Sequence, residues 1–170
     1  NGWLDEIGNL FAPGASFTVS QTNYILRASW TAQSISITYL SNGGGTAPTQ
    51  NSLYSYDTFT VSAGITRTGY TFNGWLDNSS PAKNYGAGAT YSVGITNVVL
   101  TAQWTANTYS ISYNWMGGIG TPTPNDTYTV GSSAITLPLV GDKTKSGENF
   151  AGWSTSRSGS VIGLTYTPSS

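Results

Sequence analysis

The chain has 170 residues, enough for one ordinary domain or two small ones and too few for a large enzyme. Only 8% of it is charged and the net charge is −1, which argues against the basic face that nucleic acid needs and against an electrostatically held membrane partner. The absence of His and Cys excludes disulfides, Cys/His zinc sites, thiol nucleophiles and imidazole bases, and no apolar run approaches the ~18 residues of a spanning helix. Thr, Ser and Asn supply 61 residues, while Leu, Ile, Val and Phe supply only 33. The 22 aromatic residues and the small net charge contradict disorder and point to an aromatic-cored, mainly β chain.

In chain order, the first landmark is Gly2-Trp3, with neither the basic start nor the apolar stretch of a signal peptide, so the chain reads as a piece of something longer. Tyr24, Leu26, Ala28 and Trp30 then alternate and close on Ala28-Ser29-Trp30-Thr31. Ser34-Ile35-Ser36-Ile37-Thr38-Tyr39 places Ile35, Ile37 and Tyr39 on one face of a strand, and Asn42-Gly43-Gly44-Gly45 follows as a turn. Residues 58–62 and 70–76 are rich in β-formers and read as strands. Residues 78–90 have room for one helical turn, but Pro81, Gly86 and Gly88 discourage more. Val98, Leu100, Ala102 and Trp104 alternate again, ending in Ala102-Gln103-Trp104-Thr105. A third strand-and-glycine pair, Ser110-Ile111-Ser112-Tyr113 with Gly117-Gly118, precedes the last Gly152-Trp153.

These markers recur in one order. Gly-Trp stands at residues 2, 74 and 152, spacings of 72 and 78, and Ala-x-Trp-Thr repeats at a spacing of 74. The chain is therefore expected to be a tandem array of about 74-residue units: a C-terminal half-repeat (1–31), a complete repeat (32–105) and a third repeat (106–170) lacking its final strand. Between copies only Thr105-Ala106-Asn107-Thr108 separate Trp104 from Tyr109, and so short a join without Gly or Pro predicts a semi-rigid rod.

Aromatics at recurring positions are expected in the core of each copy, because large rings supply the apolar area that scarce Leu, Ile and Val do not. On that ground Trp3, Trp75 and Trp153 form one core position, and Trp30 and Trp104 another. Trp115 differs: the preceding copy has Ser41 there, so Trp115 is the candidate exposed aromatic and ligand contact, with local packing as the alternative. The carboxylates form no catalytic pair. Asp5 and Asp77 are equivalent, the third copy has Thr155 there, and Asp57, Asp126, Asp142 and Glu148 are scattered. Calcium-loop spacing is absent, and Gly43-Gly44-Gly45 lacks the Lys-Ser/Thr of a phosphate cradle. No cofactor, metal or catalytic residue is expected.

Ile37-Thr38-Tyr39, the Gly-rich turn, the run Thr66-Arg67-Thr68-Gly69-Tyr70-Thr71-Phe72-Asn73-Gly74-Trp75 and Val98-Val99-Leu100-Thr101-Ala102-Gln103-Trp104-Thr105 resemble the internalin-type B repeat, also called the Listeria–Bacteroides repeat. The resemblance spans the complete repeat and the second half of the first. The third copy departs from it where Glu148 replaces the Tyr70 position, so Tyr70 has no packing counterpart there. The resemblance implies tandem small β-grasp-like repeats with little helix, strung along bacterial surface proteins, with Tyr39, Tyr70 and Phe72 joining the tryptophans in the repeat core.

The leading expectation is a stalk or spacer segment of a long bacterial cell-surface or secreted adhesin-like repeat protein, extracellular and not an enzyme. A second reading is an adhesion module for polysaccharide or another cell's surface. The third is a filament subunit in which strand 22–31 of one molecule completes the third repeat of another, head to tail. The expected partners are neighbouring repeats of the same chain, other copies, or surface polysaccharide, with no nucleic acid and no membrane insertion.

Overall fold

The computed structural model describes residues 1–20, 23–155 and the backbone of 165–166; the rest of the expected third repeat, 156–164 and 167–170, lies outside the described residues. Among the described residues every regular element is a strand, as a mainly β chain requires. The first segment forms an antiparallel sheet of β1 (Gly2–Leu4), β2 (Leu10–Phe11) and β3 (Arg27–Ser29), ordered β2-β1-β3. The central segment contributes β4 (Ser34–Ile35), β5 (Ile37–Leu40), β6 (Leu53–Tyr54), β7 (Thr58–Thr60), β8 (Tyr70–Asp77), β9 (Asn84–Tyr85), β10 (Thr90–Ser92) and β11 (Val98–Ala106). Where 78–90 had room for a helical turn, the chain makes β9 and begins β10 instead.

Alternation decides which side each strand buries. Ile35, Ile37 and Tyr39 are buried while Ser34, Ser36 and Thr38 face water. Strands β5, β11, β8 and β9 form one mixed sheet in that order, with β11 parallel to β5 and antiparallel to β8. Short pairs β4–β6 and β7–β10 complete the unit, the latter placing Phe59 opposite Tyr91. Phe59, Val61, Tyr91 and Val93 then join Ile35, Ile37, Tyr39, Val98 and Leu100 around Trp75 in one core. Trp75 is fully buried, edge-on to Tyr39 at 4.7 Å and to Phe72 at 5.2 Å between ring centres.

A bulge makes that core possible. Phe72 and Trp75 are three residues apart, and a regular strand would send them to opposite faces. The pairing of β8 with β11 slips between Gln103 and Trp104, which oppose Gly74 and Phe72, so Asn73 is the extra residue. Gly74 takes up the bend at φ 115°, in the region that favours glycine. Both rings therefore turn inward, while Asn73 faces out and donates to the Thr105 hydroxyl.

The third segment repeats part of this plan. Its β12 (Thr108–Ile111) pairs with β13 (Asp126–Thr129) as β4 does with β6, and β14 (Ile135–Thr136) pairs with β15 (Thr165–Tyr166) as β7 does with β10. The Trp153 indole N–H donates to the Pro138 carbonyl at 2.8 Å, as Trp75 does to Ser62 at 3.1 Å. Gly152 keeps φ 138°, and Phe150 stays 5.4 Å from Trp153. Residues 149–152 form no strand, whereas their counterparts in β8 pair with β11.

Two core assignments need correction. Trp3 is 46% exposed and Trp30 is 85% exposed. Among the described residues the first segment carries β1–β3, and none of its side chains closes over the two rings as Ile35, Ile37, Tyr39 and Phe59 close around Trp75. A groove open to solvent runs between Trp3, Pro13 and Trp30.

Candidate functional site: the joint between consecutive repeats

The complete repeat passes into the third through a single residue. β11 ends at Ala106 and β12 begins at Thr108, so the four-residue join read from the sequence contracts to Asn107. Asn107 engages both sides. Its backbone N–H donates to the Gly69 carbonyl at 2.9 Å, and its carbonyl accepts from Val130 N–H at 3.1 Å. The side-chain oxygen accepts from the Thr71 hydroxyl at 2.7 Å, and the amide N–H reaches the Tyr109 hydroxyl at 3.4 Å. Every polar group of this residue is used, so it holds β8, β11 and β12 in one arrangement.

Gly69 provides the second contact. Tyr70 N–H donates to the Arg67 carbonyl at 3.0 Å, closing a tight turn in which Gly69 sits at φ 76°. The turn tip presses on the third repeat, since a Cβ at Gly69 would lie 2.6 Å from the Val130 methyl Cγ2. Tyr70, expected in the core, is half-buried beside this joint: the Arg67 guanidinium lies 3.8 Å from its ring centre, and Gly131 approaches its hydroxyl. The third copy builds the same turn from Lys145, Ser146, Gly147 and Glu148, with Gly147 at φ 75°. There a 2.9 Å ion pair between Lys145 and Glu148 replaces the ring-and-cation contact.

Of the other predicted residues, Tyr39 is 5% exposed and its hydroxyl accepts from Ser62 N–H at 2.9 Å. Burial pushes that hydroxyl above the usual tyrosine range. Phe72 and Trp104 are half-buried with their rings 5.5 Å apart, and the Trp104 indole donates to the Ser41 carbonyl at 3.2 Å. Trp153 is half-buried among Tyr113, Phe150 and Trp115. Trp115 itself is half-buried rather than exposed, 4.6 Å from Trp153 and 5.3 Å from Phe150. Its indole donates to Thr123, and the Lys143 ammonium lies 4.8 Å from its ring centre. Trp115 thus contacts Phe150 much as Trp104 contacts Phe72 in the complete repeat.

The aspartates act on turns. Asp5 accepts from the backbone of Ile7 and Asn9, and Asp77 from that of Ser79 and Lys83, so each closes the loop after its strand. Burial alone would raise the Asp77 pKa, but bonds from Lys83 N–H at 2.7 Å, Ser79 and the Tyr91 hydroxyl outweigh it and hold the carboxyl below its ordinary range. Burial, and then the Asp77 charge, push Tyr91 up to about 12. A depressed folded-state pKa gives stability that is present above the unfolded value of 3.8 and lost as pH falls through the folded one. The expected outcome is that Asp77→Asn melts lower than the parent at pH 7, with the gap narrowing toward pH 2 in thermal scans. A gap constant with pH would refute the role of this carboxylate.

The sequence reading missed Asn107, Gly69 and Val130 as a joint. A Gly following Arg67-Thr68 and directly preceding Tyr70 was the available signal for a turn, but nothing local pointed to Val130.

The model of the Listeria-Bacteroides repeat domain matches residues 36–103 and again 109–168. Asn107 lies between the two matches. A protein of Evansella cellulosilytica named as a Gly-rich membrane protein is 30% identical over 155 residues, covering 89% of this chain and 17% of its own length. The chain therefore spans less than a fifth of that relative. No solved structure matches. Among the described residues no helix is long and apolar enough to cross a membrane.

Proposed function

Because the chain belongs to the Listeria-Bacteroides repeat family, we propose that it is a non-catalytic stalk segment of a bacterial surface protein, holding other parts of that protein away from the cell. The observation that carries this reading is the joint: Asn107 spends its backbone and side-chain hydrogen bonds across two repeats, and Gly69 leaves no gap against Val130. A spacer needs directional stiffness, and stiffness between domains needs such a contact. Exposed Ser and Thr with few charges keep a long array soluble without strong fields. The relative's name also places a protein with such a segment in a membrane, which suits an anchored stalk.

The chain has no Cys, so spin labels can be placed on Asn51→Cys and Ser133→Cys, two exposed sites in consecutive repeats. Electron-spin distance measurements are expected to give a narrow distribution for the parent and a broad one for Gly69→Val, which cannot seat its side chain at φ 76° beside Val130. A broad distribution in the parent would sink the stalk reading. An adhesive role is the second reading, favoured by Phe150, which is 40% exposed at the edge of the Trp115 cluster.

A further inference from the structure

We infer that the complete repeat is a mechanical clamp, built to resist tension along the chain axis; the inference rests on the stalk reading for its purpose but on topology for its physics. The chain enters the repeat just before β5 and leaves it at the end of β11, and these two strands are parallel neighbours. Tension applied through adjoining repeats pulls the start of β5 one way and the end of β11 the other. The strands must then slide past each other, so the bonds from Val98↔Ile37 to Thr101↔Leu40 are loaded together rather than one after another.

Side chains bracket that ladder. At its lower end Asn97 Oδ1 accepts from Ser36 N–H at 3.0 Å, beside the backbone bond from Val98 N–H to the Ser36 carbonyl at 2.9 Å. At its upper end the Asn42 amide donates to the Ala102 carbonyl at 3.0 Å and the Trp104 indole to the Ser41 carbonyl at 3.2 Å. The segment 36–42 is thereby tied to 97–104 beyond the reach of the strand pairing alone. Asn42 holds φ 48°, which places its amide across the turn toward β11. On its other side β11 is held by seven pairs with β8, so β11 cannot follow β5 without tearing the sheet. The core side chains Ile37, Tyr39, Val98 and Leu100 lie under the ladder and keep water from its bonds.

Single-molecule pulling on the full 170-residue chain tests this, with handles on paired cysteines at exposed positions. Ser34→Cys with Thr108→Cys loads β5 against β11 in shear. Ser34→Cys with Thr96→Cys peels the same strands from one end. Shear is expected to need a several-fold higher force and to release about 250 Å of chain in one step. Asn42→Asp, which tolerates the same backbone conformation but loses the donor, is expected to lower the shear force and leave the peeling force unchanged. Equal forces in the two geometries would overturn the clamp. Equal forces with a narrow inter-repeat distribution remove the clamp and leave the stalk. A high shear force with a broad distribution does the reverse.

Discussion

Trp75→Ala is expected to cost about 3–5 kcal/mol, the range for truncating a large buried aromatic. Trp75 is fully buried, touches Tyr39 and Phe72 edge-on, and donates to the Ser62 carbonyl. Removing the indole leaves a cavity at the centre of the core and strands that carbonyl. A unit of this size has on the order of 4–11 kcal/mol of stability in all, so the loss runs from about a quarter of it to the whole. Denaturant unfolding followed by circular dichroism should show the midpoint falling sharply, with the slope little changed. Trp153→Ala, removing a half-buried ring, should cost visibly less. Equal effects at the two positions would mean that the core is not centred on Trp75.

Gly74→Ala is the second large effect, and it acts through the backbone. At φ 115° an alanine carries about 1–3 kcal/mol of conformational strain. Its Cβ would also stand 2.8 Å from the Tyr85 carbonyl oxygen and from Asn84 Oδ1. Crowding of that kind costs about 1–3 kcal/mol more. If the strand relaxes by losing the bulge, Phe72 and Trp75 can no longer face the same side. The expected outcome is therefore a lower melting temperature together with a weakened near-ultraviolet aromatic signal. Gly86→Ala is the control, because nothing lies within 4 Å of a Cβ there, and it should be nearly neutral. A Gly74→Ala protein as stable as that control would remove the bulge from the account.

The inward faces of β5 and β11 were legible because alternation is a local signal over six or more residues, whereas the period was read from the recurring Gly-Trp and Ala-x-Trp-Thr markers. Residues 58–62 were read as a strand from their β-formers, and β7 covers Thr58–Thr60 of them. Tyr91 and Val93 were harder, since β10 is three residues long and its pattern hides among glycines. Phe72 and Trp75 sharing a face contradicts simple alternation; only the Gly before Trp75 hints at the bulge. Trp3 and Trp30 were placed in a core by analogy between copies, but burial belongs to the surroundings of a residue and not to its position in a motif. The joint was the least visible part. Gly69 and Val130 are far apart in sequence, and no local pattern records that they meet.

The joint between copies is made largely from main-chain groups: the carbonyl of Gly69, the N–H of Val130 and both groups of Asn107. Main-chain groups are present whatever the side chains around them become. The neighbouring turn shows this tolerance, with Arg67 and Tyr70 in one copy and Lys145 and Glu148 in the next around glycines of nearly equal φ, 76° and 75°. The backbone geometry of the turn therefore survives a complete change of the side chains that flank its glycine. A duplicated unit can thus accumulate substitutions around this turn while keeping the carbonyl that its neighbour needs.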